Sequence, residues 1–364
     1  MDQITRRGFA VAGAAVASAA ALAPAAAAAA KLEPLTPGLK ISMQVGEEVS
    51  AEDLTWIKQM GVDYLNVQTG KGRGTFDNFQ AIKKRVEGAG LKVWNISNND
   101  NRNIEEITLN LTGRDAKIAW LKQYIRDTGK AGIGYITYAH MANGIWSSAP
   151  ETTRGGAAAR AFKMETAKGS WNGKTYDQPL SHGRKYSKEE LWDNYTYFIK
   201  QIAPVAEEAG VRIGIHPDDP PVPELGGIPR HIFGTYDGYV RALEIANSPA
   251  IGVCLCCGTW MEGGKSTGKD VFDAARGFAK MGKLWKIHFR NVTQPIPYFV
   301  ETYIDNGYTD MYKLMRTLVE VDFRGNLIAD HVPAMGSGRQ AGWSYSMGYI
   351  KALHQAAKAE LKKG

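Results

Sequence analysis

The sequence predicts an α/β protein built as a closed (β/α)8 TIM barrel. Short runs of β-branched and apolar residues alternate with amphipathic helical stretches from residue 39 onward. Several helical stretches also end alike, in a glycine followed at once by an apolar residue that opens the next strand. Finally, the 364-residue chain is long for an average domain but suits one barrel with loop insertions.

Candidate strands cover 40–45, 64–68, 92–97, 134–140, 211–216, 251–256, 285–290 and 326–330. The helical segments between them fall near 51–60, 77–89, 115–130, 188–209, 235–246, 270–281 and 308–321, with a last one at about 344–362. The repeated helix ending reads Met60-Gly61-Val62, Ala89-Gly90-Leu91, Ala131-Gly132-Ile133 and Ala209-Gly210-Val211. Strands that each feed a helix fit a parallel barrel. A doubly wound open sheet is the structural alternative, but no glycine-rich phosphate fingerprint follows the first strand.

Residues 1–30 read as a removable leader. They carry Arg6-Arg7, then a small-residue apolar run and alanines up to Ala30. This is the pattern of a twin-arginine export signal. A membrane anchor is disfavoured, because the run falls short of the ~20 strongly apolar residues a span requires. The expectation is one barrel domain over 31–364, exported to the periplasm or beyond, with no stable membrane span after cleavage.

The formal charge is +7, and without the leader it is about +6. Lysines and arginines are dispersed among acidic residues, as in Lys83-Lys84-Arg85 before Glu87. No basic run with interleaved aromatics exists, which argues against nucleic-acid binding. A small-molecule substrate is expected, and a homo-oligomer is an open alternative.

The three cysteines lie within Cys254-Leu255-Cys256-Cys257. Export permits disulfides, but three thiols in one strand read better as core filler plus one ligand. Residues 141–186 are rich in Gly, Ala, Ser and Thr without clear periodicity. They follow the fourth strand, at the face where barrel enzymes carry their sites. Trp146, Trp171 and Tyr176 favour an ordered lid over a disordered loop.

His216, Cys256, His288 and Asp330 are the candidate metal ligands. Each sits at or near the end of its own consecutive strand, and in a barrel those ends meet on one side of the mouth. Imidazole, thiolate and carboxylate all suit a first-row divalent metal such as Mn2+, Fe2+ or Zn2+. A lone histidine or cysteine at such a position is more often core or rim; four at successive strand ends are not easily read that way.

These residues stand in motifs that resemble the mannonate dehydratase family. They include His216-Pro217-Asp218-Asp219-Pro220-Pro221 with Gly227-Ile228-Pro229-Arg230, then Leu255-Cys256-Cys257-Gly258-Thr259 and His288-Phe289-Arg290-Asn291-Val292. Asp310-Met311-Tyr312, Asp330-His331 and, upstream, Thr112-Gly113-Arg114-Asp115 also match. The resemblance runs from about residue 92 and is densest over 214–331. It implies a xylose-isomerase-like barrel that uses Mn2+ or Fe2+ to remove water from D-mannonate, giving 2-keto-3-deoxy-D-gluconate. It makes His216, Cys256, His288 and Asp330 the ligands and His331 an acid/base group. It offers Arg114, Arg290 and Asn291 as holders of substrate oxygens.

The implied chemistry is sound. The C2 proton of a sugar acid is poorly acidic, and a Lewis acid on the carboxylate stabilises the enediolate. A base takes that proton and an acid protonates the departing 3-hydroxyl. His331 titrates in the right range, and arginine recognises carboxylates through a planar fork.

Three departures from the family pattern are visible. The Arg-Pro-Asp-His-Gly run at strand 8 reads Ile328-Ala329-Asp330-His331-Val332. The Pro-Gly-Tyr beyond it reads Ala341-Gly342-Trp343-Ser344-Tyr345, where Trp343 cannot transfer a proton and Tyr345 is the candidate substitute. Gln68-Thr69-Gly70-Lys71-Gly72 stands where a His-His-Ile-Pro motif is expected. These changes keep a second function in view: an isomerase, epimerase or other lyase using the same metal site on another carbohydrate. A non-catalytic periplasmic sugar binder and a metal-dependent nuclease are weaker alternatives. The first has no need of a thiolate-held metal, and the second calls for a basic groove.

Overall fold

The computed structural model describes residues 32–362, so the expected leader at 1–30 lies outside the described residues. Eight parallel strands form the barrel: β1 (Lys40–Gly46), β2 (Tyr64–Thr69), β3 (Lys92–Asn98), β4 (Tyr135–Ala139), β5 (Arg212–His216), β6 (Ile251–Cys256), β7 (Leu284–His288) and β8 (Asn326–Ile328). Hydrogen-bonded ladders run in the order β3-β2-β1-β8-β7-β6-β5-β4. The remaining seam, between β3 and β4, is closed by other means. The Trp94 and Tyr135 rings pack 6.3 Å apart there, and Asn103 N donates to Ala139 O at 2.8 Å.

The outer helices are α1 (Ala51–Gln59), α2 (Phe76–Gly88), α3 (Arg114–Lys130), α4 (Lys188–Ala209), α5 (Tyr236–Ala246), α6 (Val271–Lys280), α7 (Met311–Glu320) and α8 (Arg339–Leu361). Their starts are set by side-chain caps. Ser50, Ser187, Thr235, Asp270 and Asp310 each accept from a backbone N–H in the first turn, satisfying a donor the helix cannot use itself. The Asp310-Met311-Tyr312 motif is therefore a helix start, and α7 begins at Met311, not at 308. At the other end, Gly61, Gly90, Gly132 and Gly210 all have φ between 66° and 75°, as the repeated ending predicts. The inner faces are apolar at helical spacing: α6 buries Val271, Ala274, Ala275 and Phe278, and α7 buries Met311, Leu314, Met315 and Leu318, the stripe that packs a helix onto a sheet. Among the described residues, no helix is long and apolar enough to cross a membrane.

Polar residues inside the barrel pair across its strands. Asn66 Nδ2 donates to Asn326 Oδ1 at 2.9 Å, and Asn326 donates in turn to Ser42. Higher up, neighbouring strands bring ligand types level: Cys256 pairs with His288 in register, and Cys254 with Lys286.

Residues 141–186 fold over the mouth. Ile145–Ser147, Lys168–Trp171 and Lys174–Tyr176 form one antiparallel sheet, and Ala161–Lys163 joins Tyr298–Thr302 and Asn291–Val292 in another. Phe162 stacks on Phe299 with centroids 5.4 Å apart. Buried Arg230 ties this cover to the loop after β5. It donates to Asn143 Oδ1 and Gly144 O at 2.7 Å and to Asp219 O at 3.0 Å.

Three strands end sooner than the sequence suggests, β4 by one residue at Ala139. β7 stops at His288 rather than 290, and β8 at Ile328 rather than 330. Beyond β8 the backbone of Asp330 turns into the left-handed region, with φ of 63°. Non-glycine residues rarely adopt it, and it is often found at functional sites.

Candidate metal centre

His216 closes β5, and its Nδ1 donates to Pro217 O at 2.7 Å. That bond fixes the tautomer and leaves Nε2 with its lone pair free to ligate. Burial and the neighbouring His288 push its pKa down to about 3, so the ring stays neutral. Cys256 closes β6 and begins the short helix Cys257–Gly263, whose Thr259 N–H donates to Sγ at 3.4 Å. Burial pushes the Cys256 thiol up against the pull of Arg290.

His288 lies between two partners. Its Nε2 is 3.4 Å from Cys254 Sγ. Its Nδ1 is buried, without a hydrogen-bond partner, and faces Asp330 Oδ1 at 3.3 Å. Burial lowers the pKa of His288, but Asp330 and Cys254 hold it well above the usual range. Burial would raise the Asp330 carboxyl, yet His288, His331 and Arg290 hold it well below.

One ligand atom each from His216, Cys256 and His288 lies within 4.8 Å of the others, and Cys256 Sγ is 3.8 Å from Asp330 Oδ2. Three of the four candidate ligands thus converge, and Asp330 stands beside two of them, Cys256 and His288. An orphaned imidazole nitrogen opposite a carboxylate oxygen is the arrangement a cation between them resolves, and the mixed N/S/O donor set fits a first-row divalent metal.

The charge around the donors supports the same fit. Arg290 is 1% exposed and contacts Glu262 at 2.7 Å, Asp330 at 3.0 Å, Glu301 at 3.2 Å and Asp219 at 3.5 Å. Arg160, from the cover, reaches Asp219 at 2.6 Å, Glu301 at 2.9 Å and Glu262 at 3.4 Å. Four buried carboxylates thus share two guanidinium groups. Burial, and then Asp219, push the Glu262 carboxyl up to about 7. Gly258 permits this packing, since a Cβ there would stand 2.4 Å from Arg290 Cγ and Nη1.

Beside the ligands, a cavity of about 210 Å³ is lined by His216, His288, Asp330 and His331, with Arg102 and Lys286 on other walls. His331 Nδ1 bonds the Glu301 carboxylate at 2.9 Å, and its side chain is 42% exposed. Desolvation opposes its charge, but Asp330 and Glu301 outweigh that and raise its pKa to about 9. Both carboxylates favour the charged form of the ring.

Four other sequence candidates do not line this cavity. Arg290 was expected to hold substrate oxygens, but its donors are spent on protein carboxylates and Thr259. Asn291 Nδ2 donates to Ile304 O and Thr309 O; it fastens a loop. Arg114 pairs with Asp115 and Asn110 and lies over the Tyr197 ring on α4, on the barrel's outside. Tyr345, on α8, shares its hydroxyl with Arg154 and packs against Tyr303 and Tyr349; it does not line the cavity.

Sequence reasoning missed Arg102, Lys286, Arg160, Glu262 and Glu301. One of them left a signal: Lys286 interrupts the apolar run Leu284-Trp285-Lys286-Ile287-His288 two residues before a ligand, hence on the same face.

The D-mannonate dehydratase (UxuA) family profile matches residues 46–176 and 170–362. A mannonate dehydratase of Streptococcus suis (strain 05ZYH33) is 32% identical over 275 residues, covering 70% of this chain and 73% of that protein. The crystal structure of mannonate dehydratase from Streptococcus suis serotype 2 superposes with a TM-score of 0.78 at 28% identity, covering 90% of this chain and 95% of that one. A xylose isomerase domain protein from Planctomyces limnophilus shares the fold at a TM-score of 0.60 and 13% identity, over 89% of this chain and 99% of its own. With ligand-type residues gathered at the ends of β5 to β8 in a xylose-isomerase-like barrel, the chain belongs to the D-mannonate dehydratase family of hydro-lyases.

Proposed function

We propose that this chain dehydrates a sugar acid, D-mannonate, to 2-keto-3-deoxy-D-gluconate, with Mn2+ or Fe2+ held by His216, Cys256, His288 and Asp330. The observation that carries this reading is His331, held by Glu301 at 2.9 Å, on the wall of one cavity with the histidines of a mixed-donor cluster. When bound, the cation supplies Lewis-acid polarisation of substrate oxygens.

Dehydration breaks the C2–H and C3–O bonds: a base takes the C2 proton, the protonated 3-hydroxyl leaves as water, and the resulting C2=C3 enol tautomerises to the 2-ketone. The departing 3-hydroxyl needs a proton. His331 can supply it from Nε2, because Nδ1 is engaged with Glu301; Glu301 thereby aims the ring. Burial pushes the Glu301 carboxyl up, but Arg290 and His331 hold it far below its usual range, so it stays an acceptor. The cover strand Ile145–Ser147 and Trp171 close over the cavity and limit water at the reacting carbons.

Metal-reconstituted protein incubated with a panel of aldonates and keto-sugars tests the reading. D-mannonate is expected to give the 2-keto-3-deoxy product. Turnover of a keto-sugar alone, by isomerisation or epimerisation, would establish the second reading. That alternative is favoured by the position of Tyr345, which leaves one proton-transfer role without its expected residue.

Export by the twin-arginine route belongs to the same proposal, resting on Arg6-Arg7 and the apolar run after them. Changing both arginines to lysine is expected to hold the full-length chain in the cytoplasm. Undiminished passage through the same machinery would refute it.

A further inference from the structure

Two arginines beside the metal centre are matched to anions, whereas two cations on the cavity wall are not. Arg160 and Arg290 share four carboxylates. Arg102 and Lys286 line the same cavity as His216, His288 and His331, yet among the described residues neither makes an ion pair.

Arg102 lies just beyond β3. Its Nη2 donates to Gln68 Oε1 at 3.1 Å and Asn99 Oδ1 at 3.0 Å. Its Nε is buried and has no acceptor. The Trp171 ring lies over the guanidinium, with Cζ 5.2 Å from its centroid, and Trp171 Nε1 is fastened to Asn99 O at 3.2 Å. The group is therefore gripped on one edge and one face by neutral partners, and its remaining donors are left unused.

Lys286 is 2% exposed, and its Nζ donates to Thr137 Oγ1 at 3.2 Å. An ammonium carries three donors, so here too capacity is left over. An unpaired charge that is buried, as at Lys286, or partly buried, as at Arg102, is costly, and two such charges on one small cavity repel each other. A site that keeps both is complete when its ligand brings the counter-charge.

We propose that Arg102 and Lys286 form the receptor for the carboxylate end of the substrate, with Trp171, Gln68 and Asn99 fixing the Arg102 guanidinium. This rests on the sugar-acid reading of the cavity and deepens it by naming the residues that select an acid. Deprotonation at C2 adds negative charge to that same carboxylate, and cations fixed in place beforehand stabilise it without reorganising. The cavity accordingly selects aldonates over neutral sugars of the same size. Arg102 takes the role that the sequence motif suggested for Arg114.

The test uses the metal-loaded chain with Arg102→Gln, Arg102→Lys and Lys286→Met, reading metal content, KM and kcat for D-mannonate, and thermal shifts with D-gluconate and with D-mannitol. The wild type is expected to be stabilised by D-gluconate and not by D-mannitol. Arg102→Gln and Lys286→Met should each raise KM about 10–100-fold, the scale of one lost charge-assisted hydrogen bond, with metal content unchanged. Arg102→Lys should recover part of the loss, and it carries the test by itself if Arg102→Gln does not fold. Unchanged KM and unchanged D-gluconate shift in both charge-removing variants would overturn the proposal, as would a wild type that binds D-mannitol equally well or binds no aldonate.

The receptor and the reaction fail separately. A wild type that does not dehydrate D-mannonate, but whose D-gluconate shift disappears in Arg102→Gln, removes the reaction and keeps the receptor. A wild type that dehydrates D-mannonate while the variants keep its KM does the reverse.

Discussion

His331→Asn is expected to retain the metal and lose about 10²–10⁴-fold in turnover, the range for a missing general acid or base. The imidazole meets the cavity through Nε2, while its Nδ1 is held by Glu301 at 2.9 Å. Asparagine keeps some hydrogen bonding to Glu301 but cannot deliver a proton to the leaving oxygen. The pH profile gives an independent reading. Asp330 and Glu301 hold the His331 pKa up at about 9, against desolvation. The acid form is therefore present below that value and is lost as pH rises through it. A bound divalent cation opposes the contribution of Asp330, so the alkaline limb of the holoenzyme should lie below 9. In His331→Asn that limb should vanish from the residual activity. Tyr345→Phe is the companion measurement: with its phenol against Arg154 and Tyr303, it should keep nearly full activity. Full activity in His331→Asn would remove this residue from the machinery, whatever Tyr345→Phe does.

Cys256→Ser should cost more metal affinity than any other change at the cysteine cluster. The thiol of Cys256 shares the ligand cluster with His216 and His288, and serine offers a poor substitute for a thiolate toward a first-row metal. Cys254 has a different task. Its Sγ lies 3.4 Å from His288 Nε2, which keeps Nδ1 turned toward Asp330. A lost partner of this kind typically weakens metal binding about 10–100-fold, so Cys254→Ser should be intermediate. Cys257, buried with its thiol near Leu255 O, should be silent. Metal analysis and chelator competition on the three variants would show this order. Equal loss in all three, or none in Cys256→Ser, would take Cys256 out of the ligand set.

Much of the barrel was legible because its signals are local. Strand positions follow from apolar runs of a few residues, helix starts from caps such as Ser187 and Asp270, and helix ends from the glycines before Val62, Leu91, Ile133 and Val211. Each is decided within one or two turns of chain. His216, Cys256 and His288 could be found for the same reason: each is a ligand-type residue at the end of a strand, and barrel closure brings such ends together whatever else the chain does. Asp330 was picked in the same way, although β8 stops two residues before it and the left-handed turn that carries it left no local signal.

What only the tertiary structure decided is which cation meets which anion. Arg290 looks like a substrate-binding residue in its motif, yet it is walled in by Asp219, Glu262, Glu301 and Asp330, which come from four separate segments. Arg160 sits in a stretch without periodicity and still reaches Glu301. Arg114 stands in a family-like motif but lies outside the barrel, while Arg102, twelve residues earlier, lines the cavity. The sequence determined the fold and the ring of donors, because backbone periodicity and strand ends are short-range properties. The pairing of buried charges was left to the fold, because a charge settles by what surrounds it in space, and those neighbours arrive from separate segments of the chain.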